Sequence, residues 1–121
     1  MRINLRLQSG YTSIEHSREM PMFTHDQFQS NQDKTFYATY DSSQPPLELT
    51  LVEVSDKKEL GGGFESFSVI FKAGKDKGLM PQQTCAVKND NCGAHDIFIV
   101  PVAEKDDCYL YESVFSYKVG N

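Results

Sequence analysis

Histidine is the residue type in this sequence best suited to acid–base or metal chemistry, and two of the three histidines stand next to an aspartate. His25 precedes Asp26 and His95 precedes Asp96, whereas His16 lies in a stretch without hydrophobic periodicity. Their spacing matches no metal-ligand motif. Adjacent residues of a strand also point to opposite faces, so neither pair forms a dyad there. We therefore interpret both pairs as solvated polar residues and expect no metal.

Two glutamates and a glycine run are the other features that suggest catalysis or ligand binding. Glu53 and Glu112 each interrupt an apolar stretch, and paired carboxylates can perform acid–base chemistry. The simpler interpretation is that each faces solvent or balances a basic neighbour. Residues 61–63 are glycines, but no Lys-Ser/Thr pair and helix follow to hold a phosphate. No serine lies in a nucleophile turn, so we expect a protein that is not an enzyme and has no cofactor.

Cys85, Cys92 and Cys108 are an odd number of cysteines without a C-x-x-C pair, which indicates neither zinc nor a closed disulfide framework. Residues 84–92 resemble a hairpin that turns at residues 89–91. A loop over residues 87–90 would place Cys85 directly opposite Cys92, close enough for a bridge. The alternative is that each is a small buried hydrophobe.

Three tyrosines near the C-terminus form the strongest candidate interaction surface. Tyr109, Tyr111 and Tyr117 share one parity of a long strand with Phe115. Exposed aromatic residues on a sheet bind sugars or peptides by stacking. If the tyrosines are buried instead, they are core residues. The shared parity with Phe115 favours burial.

The N-terminal residues provide a second candidate interaction segment. Ile3, Leu5 and Leu7 alternate with polar residues. Such a segment can add as a strand to the sheet edge of a neighbouring subunit. The alternative is an ordinary edge strand of its own sheet.

Hydrophobic residues recur with period two over most of the chain, which is typical of β-strands. Clear alternation covers Leu47–Leu51, Phe67–Phe71 and Tyr109–Tyr117. Residues 97–102 are apolar on both parities, which predicts a strand covered on both faces at the centre of the core. Pro101 would end that strand or lie at a bulge.

Two local signals predict irregular structure. The apolar parity changes from odd to even after Leu51, which predicts a β-bulge near Leu51–Val52. Thr24 and Gln27 match a capping box, and Phe23 and Phe28 are placed to pack across it. We therefore predict one short helix near residues 24–30.

These elements predict an all-β fold, a single-domain antiparallel sandwich or small barrel of six to seven strands. The predicted domain covers residues 22–121, and residues 1–21 are an N-terminal arm or added edge strand. The net charge of −5 over 121 residues argues against nucleic acid and anionic membranes as partners. No signal-peptide pattern is visible, so we expect a soluble protein that is cytoplasmic on synthesis.

Several segments match one family in order and spacing: residues 23–28, 46–54, 64–71, 81–84, 97–102 and 111–115. Over about residues 22–117 the chain resembles a small bacterial domain family of unknown function. The resemblance implies a non-catalytic accessory or assembly role, because genes of that family often lie near those of phage-tail-collar-like proteins. Cys85 and Cys92 stand where the family usually has Tyr and a large aliphatic residue, which favours buried hydrophobes. Gln83 replaces a usual Gly.

Two functions follow as hypotheses. The first is a non-catalytic structural or assembly module of a phage-tail-like or appendage system, which binds a protein partner or a second copy and becomes part of a larger particle. The second is a β module that binds a small ligand or glycan in a cleft lined by tyrosines and acidic residues.

Overall fold

The computed structural model describes residues 23–119, which contain seven β-strands and one α-helix. The helix is α1 (His25–Ser30), and one 3-10 turn covers Lys75–Lys77. The strands are β1 (Thr35–Thr39), β2 (Leu47–Val54), β3 (Lys58–Gly61), β4 (Phe64–Gly74), β5 (Gln83–Asn89), β6 (Gly93–Glu104) and β7 (Cys108–Lys118). The predicted all-β class with a single short helix is confirmed. The arm, including Ile3, Leu5 and Leu7, lies outside the described residues.

Six of the strands close into an antiparallel barrel in the order β2–β1–β5–β6–β7–β4, with β4 pairing back onto β2. β3 is a seventh strand that pairs with β4 beyond the end of β2. Closure hides the backbone edges that an open sheet would expose. Of the two architectures that the sequence predicted, the structure is therefore the barrel.

Phenylalanine rings fill the barrel. Phe28, at the fourth position of α1, packs against the rings of Phe23, Phe36, Phe67, Phe71 and Phe115, with ring centroids 5.3–6.4 Å apart. Phe28 itself is fully buried. The helix therefore closes one end of the barrel and inserts its central aromatic side chain into the core.

The start of α1 has the predicted capping box. The Gln27 backbone N–H donates to Thr24 Oγ1 at 3.1 Å, and the Thr24 backbone N–H donates to Gln27 Oε1 at 2.9 Å. The rings of Phe23 and Phe28 lie 5.3 Å apart, as a hydrophobic staple requires. These contacts orient a helix of only six residues, too short to be stable alone.

Bulges occur where the sequence predicted them. In β2 the pairing with β4 shifts between Leu51 and Glu53, so the apolar parity changes as expected. In β6 the pairing with β7 shifts between Pro101 and Ala103. Proline has no backbone N–H to donate, so a bulge accommodates it within a strand.

The prediction that residues 97–102 are covered on both faces is wrong. Ile97 and Ile99 are buried, but Phe98 is 51% exposed and Val102 is 48% exposed. The barrel wall is one layer thick, so only the inward parity of β6 reaches the core. The outward apolar residues are instead part of the molecular surface.

The structure does not place Cys85 opposite Cys92. Cys85 pairs with Ile97, and Cys92 lies in the turn, because Asn89 pairs with Gly93. The Asn89 side chain accepts from the Asn91 backbone N–H at 2.7 Å, and Gly93 takes the left-handed φ of +80° that ends the turn. All three cysteines are free, and Cys85 and Cys108 are buried.

Candidate functional site

The three tyrosines proposed as interaction residues face the interior side of β7. Tyr111 is fully buried, and its hydroxyl oxygen accepts from the Met80 backbone N–H at 3.0 Å. Burial raises the pKa of its phenol. Tyr111 is therefore a core residue with a satisfied polar tip rather than a stacking surface.

Tyr109 and Tyr117 are half-buried and lie towards opposite ends of β7. The Lys75 Nζ lies 5.5 Å from the centroid of the Tyr109 ring, and it also contacts Glu104 Oε2 at 2.7 Å. Tyr117 donates its hydroxyl to Glu65 Oε1 at 3.1 Å. Eight residues of extended strand, about 26 Å of backbone, lie between them, so the structure does not bring the three tyrosines into one surface.

Tyr117 and Glu65 instead line a pocket at the helix end of the barrel, with a volume of about 220 Å³. We call this the end pocket. Its lining comes from the start of α1, the residue before β3, the start of β4 and the end of β7: Phe23, Thr24, His25, Asp26, Lys57, Glu65, Phe67, Tyr117 and Val119. Three aromatic rings and three charged side chains thus surround one small opening.

The end pocket changes the acidity of its tyrosine. Burial, and then the hydrogen bond to Glu65, raise the pKa of Tyr117 to about 12, and the charges of Glu65 and Asp26 add to this effect. Both carboxylates therefore act on the same hydroxyl. At neutral pH, Tyr117 is therefore a protonated donor to the Glu65 carboxylate.

His25 contradicts the prediction that it is a solvated residue, since it is only 8% exposed. It is the first residue of α1, and its ring lies 4.9 Å from that of Phe67. Its Nε2 lies 2.8 Å from the Ser55 carbonyl oxygen. A carbonyl only accepts, so Nε2 carries a proton, and in the neutral form of the ring Nδ1 is then the acceptor. That Nδ1 is buried and has no hydrogen-bond partner among residues 23–119.

A second feature is an interruption of the backbone ladder between β6 and β7. β6 pairs with β7 only from Val100 onwards, and β7 pairs with β6 only up to Glu112. Within residues 23–119, no ladder pair joins residues 93–99 to residues 113–118, although each segment pairs with its other neighbour. We call these two facing edges the open seam. Seams of this kind present backbone donors and acceptors to any strand that approaches.

Phe23 lies beneath the open seam. Its ring is fully buried, with a centroid 4.6 Å from that of His95 on β6, and it lines the end pocket together with Tyr117 of β7. On the outer side, Phe98 is 51% exposed and Val114 is 60% exposed. The interior below the open seam is thus filled, whereas apolar side chains beside it face outwards.

The remaining candidates are not brought together into a site. Glu53 and Glu112 each lie opposite Ile70 on the outer wall, on opposite sides of β4. His95 is half-buried, and burial lowers its pKa. Burial raises the pKa of the Cys85 thiol to about 11. Residues 23–119 hold no group of three metal-ligating side chains.

Sequence reasoning missed the end pocket and the open seam. The sequence identifies Glu65 and Lys57 only as charged residues, and it places His25 only at the start of a helix. The apolar character of both parities in residues 97–102 did signal Phe98, but as a core residue. No helix in the described part of the chain is long and apolar enough to cross a membrane.

Comparison with known proteins agrees with the resemblance found in the sequence. The model of one family, described as "Domain of unknown function (DUF6916)", matches residues 23–115. The match begins at Phe23 beneath the open seam and includes α1 and six complete strands. Neither the curated proteins nor the solved structures contain a match to the chain. The chain belongs to the DUF6916 family, a family of domains of unknown function.

Proposed function

We propose that this protein is a non-catalytic assembly module that accepts a β-strand from a second copy of itself at the open seam. The observation that carries this proposal is the parting of β6 and β7 beyond Val100 and Glu112. A closed barrel otherwise offers few edges, so a seam within the wall is the natural place for strand addition. The resemblance noted above supports a role in a phage-tail-like or appendage particle.

The orientation of the β6 backbone favours a strand partner. The Phe98 carbonyl oxygen accepts from Ser113 Oγ of β7 at 2.8 Å, so the Phe98 backbone groups point towards the open seam. Successive residues of a strand alternate in direction, so those of Ala94 and Asp96 point there as well. The Phe98 carbonyl already accepts from Ser113 Oγ, whereas the Ala94 and Asp96 groups, which have no ladder partner on β7 within residues 23–119, can bond a strand or water.

The partner we propose is the segment Ile3–Leu7 of the second copy. Its apolar residues alternate with period two, as an added strand requires. Phe98 and Val114 flank the open seam on the outer wall, where they can pack against Ile3, Leu5 and Leu7 as cross-strand neighbours.

The length of the connecting segment permits this exchange. Residues 8–22 separate the strand segment from Phe23, and fifteen residues extend to about 50 Å. A domain of this size has a radius of gyration of about 13 Å. The segment can therefore reach the open seam of a neighbouring copy.

The mass of the protein in solution tests this proposal. The full chain should be a dimer or larger, and a chain that lacks residues 1–20 should be a folded monomer. Leu5→Glu should also lower the mass of the assembly in solution towards that of a monomer, whereas Thr12→Glu, outside the alternating segment, should leave it unchanged. A folded truncated chain with the mass of the full chain would rule out the proposal, and so would a monomeric full chain.

A further inference from the structure

We infer that the end pocket is a binding site for an organic cation, an ammonium or guanidinium group carried on an apolar stem. This inference does not depend on strand addition at the open seam. The end pocket has a volume of about 220 Å³, which lies below the roughly 300 Å³ of typical ligand pockets. The pocket therefore suits a group of side-chain size.

The polar groups of the end pocket are mainly hydrogen-bond acceptors, so we expect a ligand that donates hydrogen bonds. The Glu65 carboxylate accepts from Tyr117 through Oε1 and has further lone pairs, and the Asp26 carboxylate is exposed at the rim. His25 also lines the pocket, and its Nδ1, an acceptor in the neutral ring because Nε2–H points at Ser55, has no partner in the part of the chain that the structure describes. Nδ1 is inaccessible to solvent, so the acceptors that a ligand in the pocket reaches directly are the two carboxylates. A group with several N–H donors and a positive charge satisfies this set.

Aromatic walls complete the site. Phe23 and Phe67 are buried, and the half-buried ring of Tyr117 lies 6.1 Å from that of Phe67 in an edge-on arrangement. Ring faces attract cations and also pack against an aliphatic stem. A metal ion fits this lining poorly, because most of it is carbon.

Two polar groups in the lining do not favour a cation. Thr24 Oγ1 is already occupied, since it accepts from the Gln27 backbone N–H. Lys57 is exposed at the rim and carries a positive charge that opposes a second cation. The acidic and basic side chains that line the pocket are thus Asp26, Glu65 and Lys57, with a formal net charge of one negative.

Titration of the probe against the full chain tests this inference. Butylammonium and butylguanidinium should each cause saturable NMR shifts of residues that line the end pocket, and neutral 1-butanol should not. Glu65→Gln should weaken binding about tenfold, because it removes a charged acceptor. Lys57→Gln should strengthen binding, and Glu48→Gln, on the outer wall away from the pocket, should leave it unchanged. An amide spectrum of each variant shows whether it is folded.

Three results would overturn the inference: no saturation by either cation, equal shifts with 1-butanol, or unchanged affinity in folded Glu65→Gln.

If the cations bind, the double variant Arg2→Gln/Arg6→Gln distinguishes the source of the natural cation. Tighter probe binding in this variant supports the site with the arginines of the chain as its occupants. Unchanged probe binding supports the site with a free amine or guanidine as its ligand.

Discussion

Ser113 Oγ donates a hydrogen bond of 2.8 Å to the Phe98 carbonyl oxygen where β6 and β7 part. The Ser113 side chain is almost completely buried. It thus supplies the bond that a backbone N–H of β7 would supply if the ladder continued. This contact ends the ladder without leaving the part-buried Phe98 carbonyl unpaired.

Replacement of Ser113 tests the importance of this contact. Ser113→Ala should lower the free energy of unfolding by about 1–3 kcal/mol, because the Phe98 carbonyl loses its partner. Denaturant unfolding measures the change. Ser116→Ala, at an exposed position of the same strand, should change it little. Equal effects of the two substitutions would show that the hydroxyl contact contributes no stability.

Phe28 should be one of the most sensitive positions of the core. Phe28→Ala should cost about 3–5 kcal/mol, because it empties the space between the surrounding rings. Phe64, which is 45% exposed, provides the matched control, and Phe64→Ala should cost much less. Thermal unfolding of both variants gives the comparison. If both cost the same, α1 does not close the barrel as described.

The raised pKa of Tyr117 should depend on Glu65. In Glu65→Gln the pKa should fall from about 12 towards the ordinary value near 10, because the hydrogen bond to an anion and its charge are both lost. Burial remains, so the pKa should stay above that ordinary value. Phenolate absorbance followed against pH reports the change, with Tyr117→Phe to identify the signal. An unchanged titration would show that Glu65 does not contact the phenol.

His95 should contribute to loss of stability in acid. Burial lowers the pKa of the folded imidazole below its unfolded value near 6.5. The unfolded chain therefore binds this proton first as the pH falls. The resulting stability is present above pH 6.5 and is lost as the pH falls through the folded pKa. Unfolding of the wild type and of His95→Gln at pH 7.5 and 5.5 measures this: the wild type should lose more stability between the two.

Local signals in the sequence predicted the parts of the fold that depend on neighbouring residues. Thr24 and Gln27 lie within one helical turn, so their reciprocal caps can be read directly from the sequence. The bulge in β2 follows from the side-chain parity around Leu51. Neither feature requires knowledge of which strands are neighbours.

Features that depend on barrel closure could not be read in this way. His25 is buried because α1 lies across the end of the barrel, beside Phe67, which is 42 residues away in the chain. Phe98 is exposed because a barrel wall has one inner face, although its sequence neighbours are apolar. The open seam depends on where β6 and β7 part, and the Asn89 turn, not the cysteine spacing, determines the pairing of β5 with β6.

Contacts between two differently labelled copies test the proposed strand exchange most directly. We would mix isotope-labelled and unlabelled full chains and record NOEs that arise only between copies. The proposal predicts intermolecular NOEs from the methyl groups of Ile3, Leu5 and Leu7 to Phe98 and Val114. It also predicts slow exchange of the Ala94 and Asp96 amides, which should become fast without residues 1–20. NOEs only within one copy, or none to these residues, would contradict it.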